Sequence, residues 1–171
     1  MRVLGIDPGL RVTGYACIEV VDGAWMSPRI VEAGVFRLTK RGEALPSIAE
    51  RLHELDCDFR NLITRTKPAA VAVEGLFAHY QHPATAIIMG HARGVLILAA
   101  QQAGLRLLEL KPAMVKKSAT GFGQADKAQM QRAIQSHFGL ADLPEPPDLA
   151  DALAIALCGA QHFATADAVG S

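Results

Sequence analysis

Short apolar runs alternate with longer stretches in which apolar residues recur at helical spacing. The short runs predict strands, and they cover residues 3–6, 12–21, 30–38, 69–73 and 105–110. The longer stretches predict helices, and they cover residues 44–66, 83–103, 112–117, 125–138 and 146 onward. The first three strands follow one another directly, which predicts an antiparallel meander at the front of an α+β or α/β domain.

Two of the predicted strands end on a carboxylate. Asp7 closes the first run, and the Pro8-Gly9 pair that follows is typical of a type II turn with positive φ at the glycine. Glu74 closes the run at 69–73. A strand that follows a helical crossover usually lies parallel to an earlier strand, so both acids are expected at one edge of the sheet. A turn residue explains Asp7 alone, but a second acid at a matching strand end favours a shared site.

A second pair of acids opens the last predicted helix. Asp148 is predicted as its N-cap and Asp151 as its third residue, where acids interact favourably with the helix dipole. Capping alone therefore explains the pair. Their i, i+3 spacing also places both carboxylates on one helix face, so further acids at the same place would make it a metal site.

Composition and charge narrow the class of protein. The chain has 171 residues, of which 50% are hydrophobic, enough for one domain with a substantial core. Lys and Arg number 17, as do Asp and Glu, but residues 111–132 hold five bases and one acid. Bases beside a carboxylate cluster suit an enzyme that cleaves phosphodiesters. For Lys111 and Arg132 an ordinary solvated surface remains the preferred interpretation.

Targeting and redox signals favour a cytoplasmic protein with no membrane partner. The three cysteines are scattered and form no CxxC pair, which is typical of reduced thiols. We find no signal-peptide pattern, and the nearest candidate for a membrane span, residues 87–100, is short and carries His91 and Arg93.

The loop after Glu74 and the helix behind it each allow two interpretations. Phe77 is either a core residue or a base-stacking wedge beside an active site. His79 and His82 have i, i+3 spacing, but no thiolate or further histidine joins them to suggest zinc. The helix at 83–103 is apolar around much of its circumference, which predicts either packing on the sheet or a homodimer contact.

Four motifs in order resemble the RuvC-type Holliday junction resolvases. They are Gly-Ile-Asp-Pro-Gly-Leu-Arg-Val-Thr-Gly at 5–14, Val-Glu at 73–74, His-Ala-Arg-Gly-Val at 91–95 and Asp-Leu-Ala-Asp-Ala-Leu-Ala-Ile-Ala at 148–156. The resemblance implies a ribonuclease H-like fold, with a mixed five-stranded sheet flanked by helices. We expect this nuclease domain to cover residues 1–163, with residues 164–171 as a C-terminal tail.

The resemblance also implies roles for particular residues and partners. The acids that match the family's catalytic and metal-binding positions are Asp7, Glu74, Asp148 and Asp151. The expected DNA-binding residues are Phe77, Lys116, Lys117 and Lys127. The implied partners are four-way junction DNA, a second copy of the chain and the RuvA–RuvB branch-migration complex. Paired symmetric nicks that leave 5′-phosphate ends are the implied reaction.

The acids themselves point to metal-dependent hydrolysis. Clustered carboxylates repel one another and stay ionised only around cations. Their oxygen ligands suit Mg²⁺ or Mn²⁺, and two such ions about 4 Å apart would activate water and stabilise a leaving 3′ oxygen.

Two other functions stay open at this point. One is a ribonuclease H-like hydrolase that acts on RNA or RNA–DNA hybrids, and the other is an inactive, structure-specific DNA-binding module. An actin-like ATPase also begins with a Gly-x-Asp-x-Gly hairpin, but 171 residues cannot supply its second domain.

Overall fold

The computed structural model describes residues 1–21, 28–75 and 83–169. The strands are β1 (Arg2–Asp7), β2 (Val12–Glu19), β3 (Arg29–Arg37), β4 (Ala70–Glu74) and β5 (Arg106–Leu110). The helices are α1 (Ile48–Thr66), α2 (Pro83–Gln102), α3 (Pro112–Thr120), α4 (Lys127–Phe138) and α5 (Pro147–Val169). Each predicted strand and helix is present, with ends shifted by up to a few residues.

The five strands form one mixed sheet in the order β3-β2-β1-β4-β5. The first three strands are antiparallel neighbours, as the predicted meander requires, whereas β4 lies parallel to β1 and β5 lies parallel to β4. The prediction of a mixed five-stranded sheet flanked by helices is therefore confirmed.

The alternation of side chains along the strands sorts the core into two layers. On β1, Leu4 and Ile6 face the layer that contains α1 and α2, whereas Val3 belongs to the layer built on α3, α4 and α5. On β4, Val71 and Val73 face the α1–α2 side. Asp7 and Glu74 have the opposite parity, so both carboxylates face the α5 side of the sheet.

Two glycines let α5 approach the sheet unusually closely. A Cβ atom on Gly5 would lie 2.4 Å from the carbonyl oxygen of Ala152, and one on Gly14 would lie 2.1 Å from the carbonyl oxygen of Asp148. Any larger residue at these positions would push the helix away. Because Gly14 pairs with Asp7 across β1 and β2, this contact brings the start of α5 next to Asp7.

The turn after β1 differs from the predicted type II turn, because Gly9 does not adopt the positive φ that such a turn needs. The loop is instead closed by the buried side chain of Thr13. Its hydroxyl donates to the Gly9 carbonyl at 2.5 Å, and the Gly9 N–H donates to the same hydroxyl oxygen at 3.2 Å.

The ends of two helices also differ from the sequence prediction. The last helix begins at Pro147, so Asp148 lies within its first turn and the prediction of an N-cap at Asp148 is wrong. Proline is well suited to the first helical position, which explains why the helix begins before Asp148. The same helix continues to Val169, so the predicted tail at 164–171 begins inside α5. The first helix starts at Ile48 and not at residue 44, because Ser47 and Glu50 form a capping box.

Two helices have the length and apolar composition of a membrane span, α2 over Ala84–Gln102 and α5 over Pro147–Ala166. In α5, 61% of the apolar window is buried, as expected for the core helix of the domain. In α2 the buried share is 22%, so most of this window is at least partly exposed in the single chain. Both segments carry charged side chains, Arg93 in the α2 segment and Asp148 and Asp151 in the α5 segment.

Candidate active site

The four predicted acids meet at one end of the sheet. Ile6 of β1 pairs with Val73 of the parallel strand β4. Asp7 and Glu74 are the next residues of these strands, so they lie side by side at the two carboxyl ends. The first turns of α5 cross the same edge and add Asp148 and Asp151 from one helix face. The structure thus brings together residues that lie more than half the chain apart.

The electrostatics of Asp7 show how closely these acids interact. Burial, together with the negative charges of Asp151, Glu74 and Asp148, raises the pKa of Asp7 to about 8. Lys127 is the cation that opposes this rise. An isolated aspartate has a pKa of 3.8, so the protein holds this carboxyl in a place that strongly disfavours its negative charge.

Glu74 and Asp151 show the same behaviour. Burial and the charge of Asp151 raise the pKa of Glu74 to about 7, with Lys116 acting against the rise. The pKa of Asp151 is also raised, chiefly by burial and secondarily by Asp148, while Lys127 and Lys116 oppose the shift. The four acids therefore form one carboxylate cluster with two lysines beside it.

This donor set suits a hard divalent cation. It offers only carboxylate oxygens, which are the ligands of Mg²⁺ and Mn²⁺, and its pKa values are raised by burial and by repulsion between the acids, both of which a bound cation would offset. Among the described residues, however, no three Asp, Glu, His or Cys side chains already converge on a single ion position. The cluster has the chemistry of a metal site without a preformed coordination sphere.

The carboxylate cluster opens onto two clefts, one on each side. A cleft of about 260 Å³ is lined by Glu74 and Asp151 together with Lys116 and Lys127. A larger cleft of about 650 Å³ contains Asp7 and Asp148, and it extends along the β1–β2 loop and the start of α2. A ligand that crosses the cluster would therefore contact different elements of the fold on its two sides.

The predicted DNA-binding residues fall in three different places. Lys116 of α3 and Lys127, the first residue of α4, line the smaller cleft beside the acids. Lys127 is held there by the capping box of Asp126 and Gln129 that starts α4. Lys117 lies instead in a separate groove between α3 and α5, so the structure does not bring it to the acids. Phe77 lies outside the described residues, as do His79 and His82.

Two arginines that were not predicted as site residues support the acid-bearing strand ends. Arg51 of α1 is buried, and its Nη1 donates to the carbonyl of Leu10 at 2.9 Å, which fixes the loop after Asp7 against α1. The guanidinium of Arg93 donates to the carbonyl of Glu74 at 3.3 Å and forms an ion pair with Glu109 of β5. A charged residue on the apolar face of a predicted helix is the sequence signal that could have identified Arg51.

The fold and site define a ribonuclease H-like domain with acidic residues at its active edge. The family model of the crossover junction endodeoxyribonuclease RuvC matches residues 3–159. The chain therefore belongs to the RuvC family of crossover junction endodeoxyribonucleases.

Relatives of known sequence cover nearly the whole chain. RuvC of Rhodopirellula baltica is 46% identical over 157 residues, which are 92% of this chain and 84% of the relative. RuvC of Chloroflexus aggregans is 43% identical over 170 residues, or 99% of each chain.

Solved structures agree with this assignment. The Thermus thermophilus RuvC structure matches with a TM-score of 0.84 and 32% identity over 97% of both chains. A second structure of that protein, in complex with a Holliday junction substrate, matches with a TM-score of 0.85 and 32% identity over 97% of this chain and 96% of the other. The yeast mitochondrial Holliday junction resolvase, at 18% identity and a TM-score of 0.66, covers 92% of this chain and 76% of that one and shares the fold.

Proposed function

We propose that this chain is a metal-dependent Holliday junction resolvase that cuts two strands of a four-way DNA junction by symmetric nicks. The single observation that carries the proposal is the clustering of Asp7, Glu74, Asp148 and Asp151 at one sheet edge. Membership of the RuvC family supports the reaction, and the Thermus thermophilus relative in complex with a Holliday junction substrate supports the choice of DNA.

The carboxylate cluster would hold two Mg²⁺ or Mn²⁺ ions. When bound, such ions supply activation of water and charge stabilisation at the leaving oxygen. The role of the protein is to hold four oxygen-bearing side chains at fixed strand and helix ends. Burial raises the pKa values of Asp7 and Glu74, so their ionised forms are unfavourable without a bound cation. A cation would therefore be bound with a gain in stability.

The lysines beside the cluster would position the DNA. Lys116 and Lys127 line the same cleft as Glu74 and Asp151, where they can bind phosphates of the strand to be cut. Lys117 lies in the groove between α3 and α5. We therefore propose that its contact with DNA lies outside this cleft. Phe77 remains a prediction for contact with bases at the junction.

A second copy of the chain would cover α2. Its exposed positions form a stripe at helical spacing, and the stripe contains Ile87, His91, Gly94 and Leu98. Ile87 is 61% exposed and Leu98 is 56% exposed, whereas nothing lies within 4 Å of a Cβ built on Gly94. Such an apolar stripe with a small residue at its centre favours close packing of two helices. A twofold dimer would present two active sites to two strands.

Family membership also underlies two further proposals. We propose cooperation with the RuvA–RuvB branch-migration complex, which a cleavage assay with and without that complex on a mobile junction would test. A cytoplasmic location is proposed as well, and it agrees with the three free cysteines, of which Cys17 and Cys158 are buried.

The decisive experiment is cleavage of a synthetic four-way junction by the full chain in Mg²⁺ or Mn²⁺. We expect paired nicks that Asp7→Asn abolishes and that Asp142→Asn, a matched change of an exposed acid outside the cluster, leaves intact. An RNA–DNA hybrid in the same buffer tests the alternative substrate class. Preferred cleavage of the hybrid, or nicking by the Asp7→Asn variant, would refute the proposal.

A further inference from the structure

Four cations line a groove at the edge of the sheet where β3 ends. Arg11 comes from the β1–β2 loop, whereas Arg37, Lys40 and Arg41 come from the end of β3 and the segment before α1. The groove has a volume of about 680 Å³, and all four side chains are exposed. The acid in its lining, Glu43, forms an exposed ion pair with Lys40 at 3.9 Å.

The backbone holds these cations together. Val12 pairs with Arg37 in the β2–β3 register, and the N–H of Leu38 donates to the carbonyl of Arg11 at 3.0 Å. Arg11 and Arg37 are thereby fixed on neighbouring backbone segments. Backbone hydrogen bonds, and not contacts between side chains, therefore keep these residues close to each other.

This basic groove is continuous with the active site. Arg11, Val12 and Leu45 line both the basic groove and the larger cleft that contains Asp7 and Asp148. The lysines Lys116 and Lys127 line the other cleft. The carboxylate cluster therefore has a cationic surface on each of its two sides.

Ion pairing distinguishes the three arginines of the groove from several other arginines in the described part of the chain. Arginines with a carboxylate partner are Arg2, Arg29, Arg60, Arg65 and Arg93. Within residues 1–21, 28–75 and 83–169, Arg11, Arg37 and Arg41 have no such ion pair. Uncompensated cations beside a phosphodiester-cleaving site attract the phosphates of the substrate.

We propose that Arg11, Arg37, Lys40 and Arg41 bind the sugar–phosphate backbone of the junction DNA on the side of the acids away from Lys116 and Lys127. The proposal rests on the proposed function, because it assumes that the strand in the active site is part of a four-way junction. Each arginine that contacts a phosphate releases counterions from the DNA, so the contact contributes to the salt dependence of binding.

The test is the affinity of the full chain for a synthetic junction in EDTA, measured between about 50 and 200 mM salt. Two lost phosphate contacts lower the slope of log affinity against log salt by about 1.8. For the double variant Arg37→Gln/Arg41→Gln, we therefore expect the loss of affinity across this range to be about tenfold smaller than for the wild type. The double variant Arg37→Lys/Arg41→Lys keeps both charges and should retain most of the wild-type slope.

Arg29→Gln is the matched control. Arg29 is an exposed arginine at the other end of β3, roughly 26 Å from Arg37 along the strand, and it pairs with Glu19 at 2.5 Å. This variant should bind with the wild-type slope. Wild-type slope in the double glutamine variant would overturn the proposal, as would equal loss of slope in the lysine variant. Absence of junction cleavage by the wild-type chain would count against the proposed function itself.

Discussion

Asp7 and Glu74 end two parallel strands side by side, in a register fixed by the pairing of Ile6 with Val73. Both carboxylates face the same side of the sheet, and burial raises the pKa of each, to about 8 and about 7. The backbone thus holds two acids in an arrangement that costs stability in the absence of a cation. Such a cost is understandable if the function of the pair is to bind one.

The first prediction concerns the pH dependence of stability without metal. A carboxyl whose pKa is higher in the folded state binds more protons there than in the unfolded chain, so stability falls as pH rises between the two pKa values. For Asp7 this window runs from 3.8 to about 8, and for Glu74 from 4.5 to about 7. We expect the unfolding temperature in EDTA to be higher near pH 6 than near pH 8.5.

Asp7→Asn removes the most strongly shifted carboxyl and its repulsion with Asp151, Glu74 and Asp148. We expect this variant to unfold at a higher temperature than the wild type at pH 8.5 in EDTA, while cleavage is lost. Added Mg²⁺ or Mn²⁺ should stabilise the wild type more than the variant, because ions bound only by the folded state shift the equilibrium. Thermal melts with and without metal measure both effects, and a destabilised Asp7→Asn protein would contradict the prediction.

The second prediction concerns Gly14, where the chain has no room for a side chain. A Cβ there would lie 2.1 Å from the carbonyl oxygen of Asp148, so Gly14→Ala must displace the start of α5. Overpacking of this kind costs about 1–3 kcal/mol, and the displacement moves Asp148 and Asp151 relative to Asp7. We expect a lower unfolding temperature and loss of most cleavage activity in Gly14→Ala. Normal cleavage in a fully folded Gly14→Ala protein would show that α5 need not lie this close to the sheet.

The sequence allowed prediction of most of the sheet, because apolar runs and strand-end acids are local features. Two apolar runs that each end on an acid, joined by one helical crossover, were enough to place Asp7 beside Glu74. The predicted capping role of Asp148 was wrong, because the helix begins at Pro147, two residues earlier than an N-cap at Asp148 requires, which places the acid in its first turn. The type II turn was wrong, because the hydroxyl of Thr13 closes the loop without positive φ at Gly9.

What could not be predicted depends on contacts between distant segments. Gly5 and Gly14 give no local sign that α5 will pack on them. The basic groove joins Arg11 to residues 37–41, and only the β2–β3 pairing reveals that they are neighbours. The separation of Lys117 from Lys116 follows from the geometry of α3, in which adjacent residues point in different directions.

That separation gives the third prediction, a comparison of three lysines by substitution with glutamine. Lys116→Gln and Lys127→Gln remove cations that stabilise the ionised acids, so the pKa values of Glu74 and Asp7 should rise further. We expect a lower cleavage rate and an activity profile shifted to higher pH in both variants. Lys117→Gln should keep the wild-type pH profile and change only junction affinity. Pre-steady-state cleavage across pH 6–9 distinguishes these outcomes, and a shifted profile in Lys117→Gln would contradict the assignment.

The last prediction concerns Arg93, which connects α2 to the end of β4. Its guanidinium donates to the carbonyl of Glu74 at 3.3 Å and pairs with Glu109, and its side chain is only 16% exposed. Arg93→Gln removes the cation and leaves the Glu74 strand end less constrained, whereas Glu109→Gln removes only the acidic partner. We expect Arg93→Gln to raise the Mn²⁺ concentration needed for half-maximal cleavage and to weaken Mn²⁺ binding in solution.

Glu109→Gln is the matched comparison, because the Glu109 side chain is 55% exposed and an exposed ion pair is worth about 0–1 kcal/mol. This variant keeps the arginine and its bond to the Glu74 carbonyl, so its Mn²⁺ dependence should stay close to that of the wild type. Junction affinity in EDTA should be unchanged in both variants, since neither residue lies in the two clefts that flank the acids. If Arg93→Gln binds Mn²⁺ as the wild type does, the contact with the Glu74 carbonyl supports the fold of β4 and not the position of the acid.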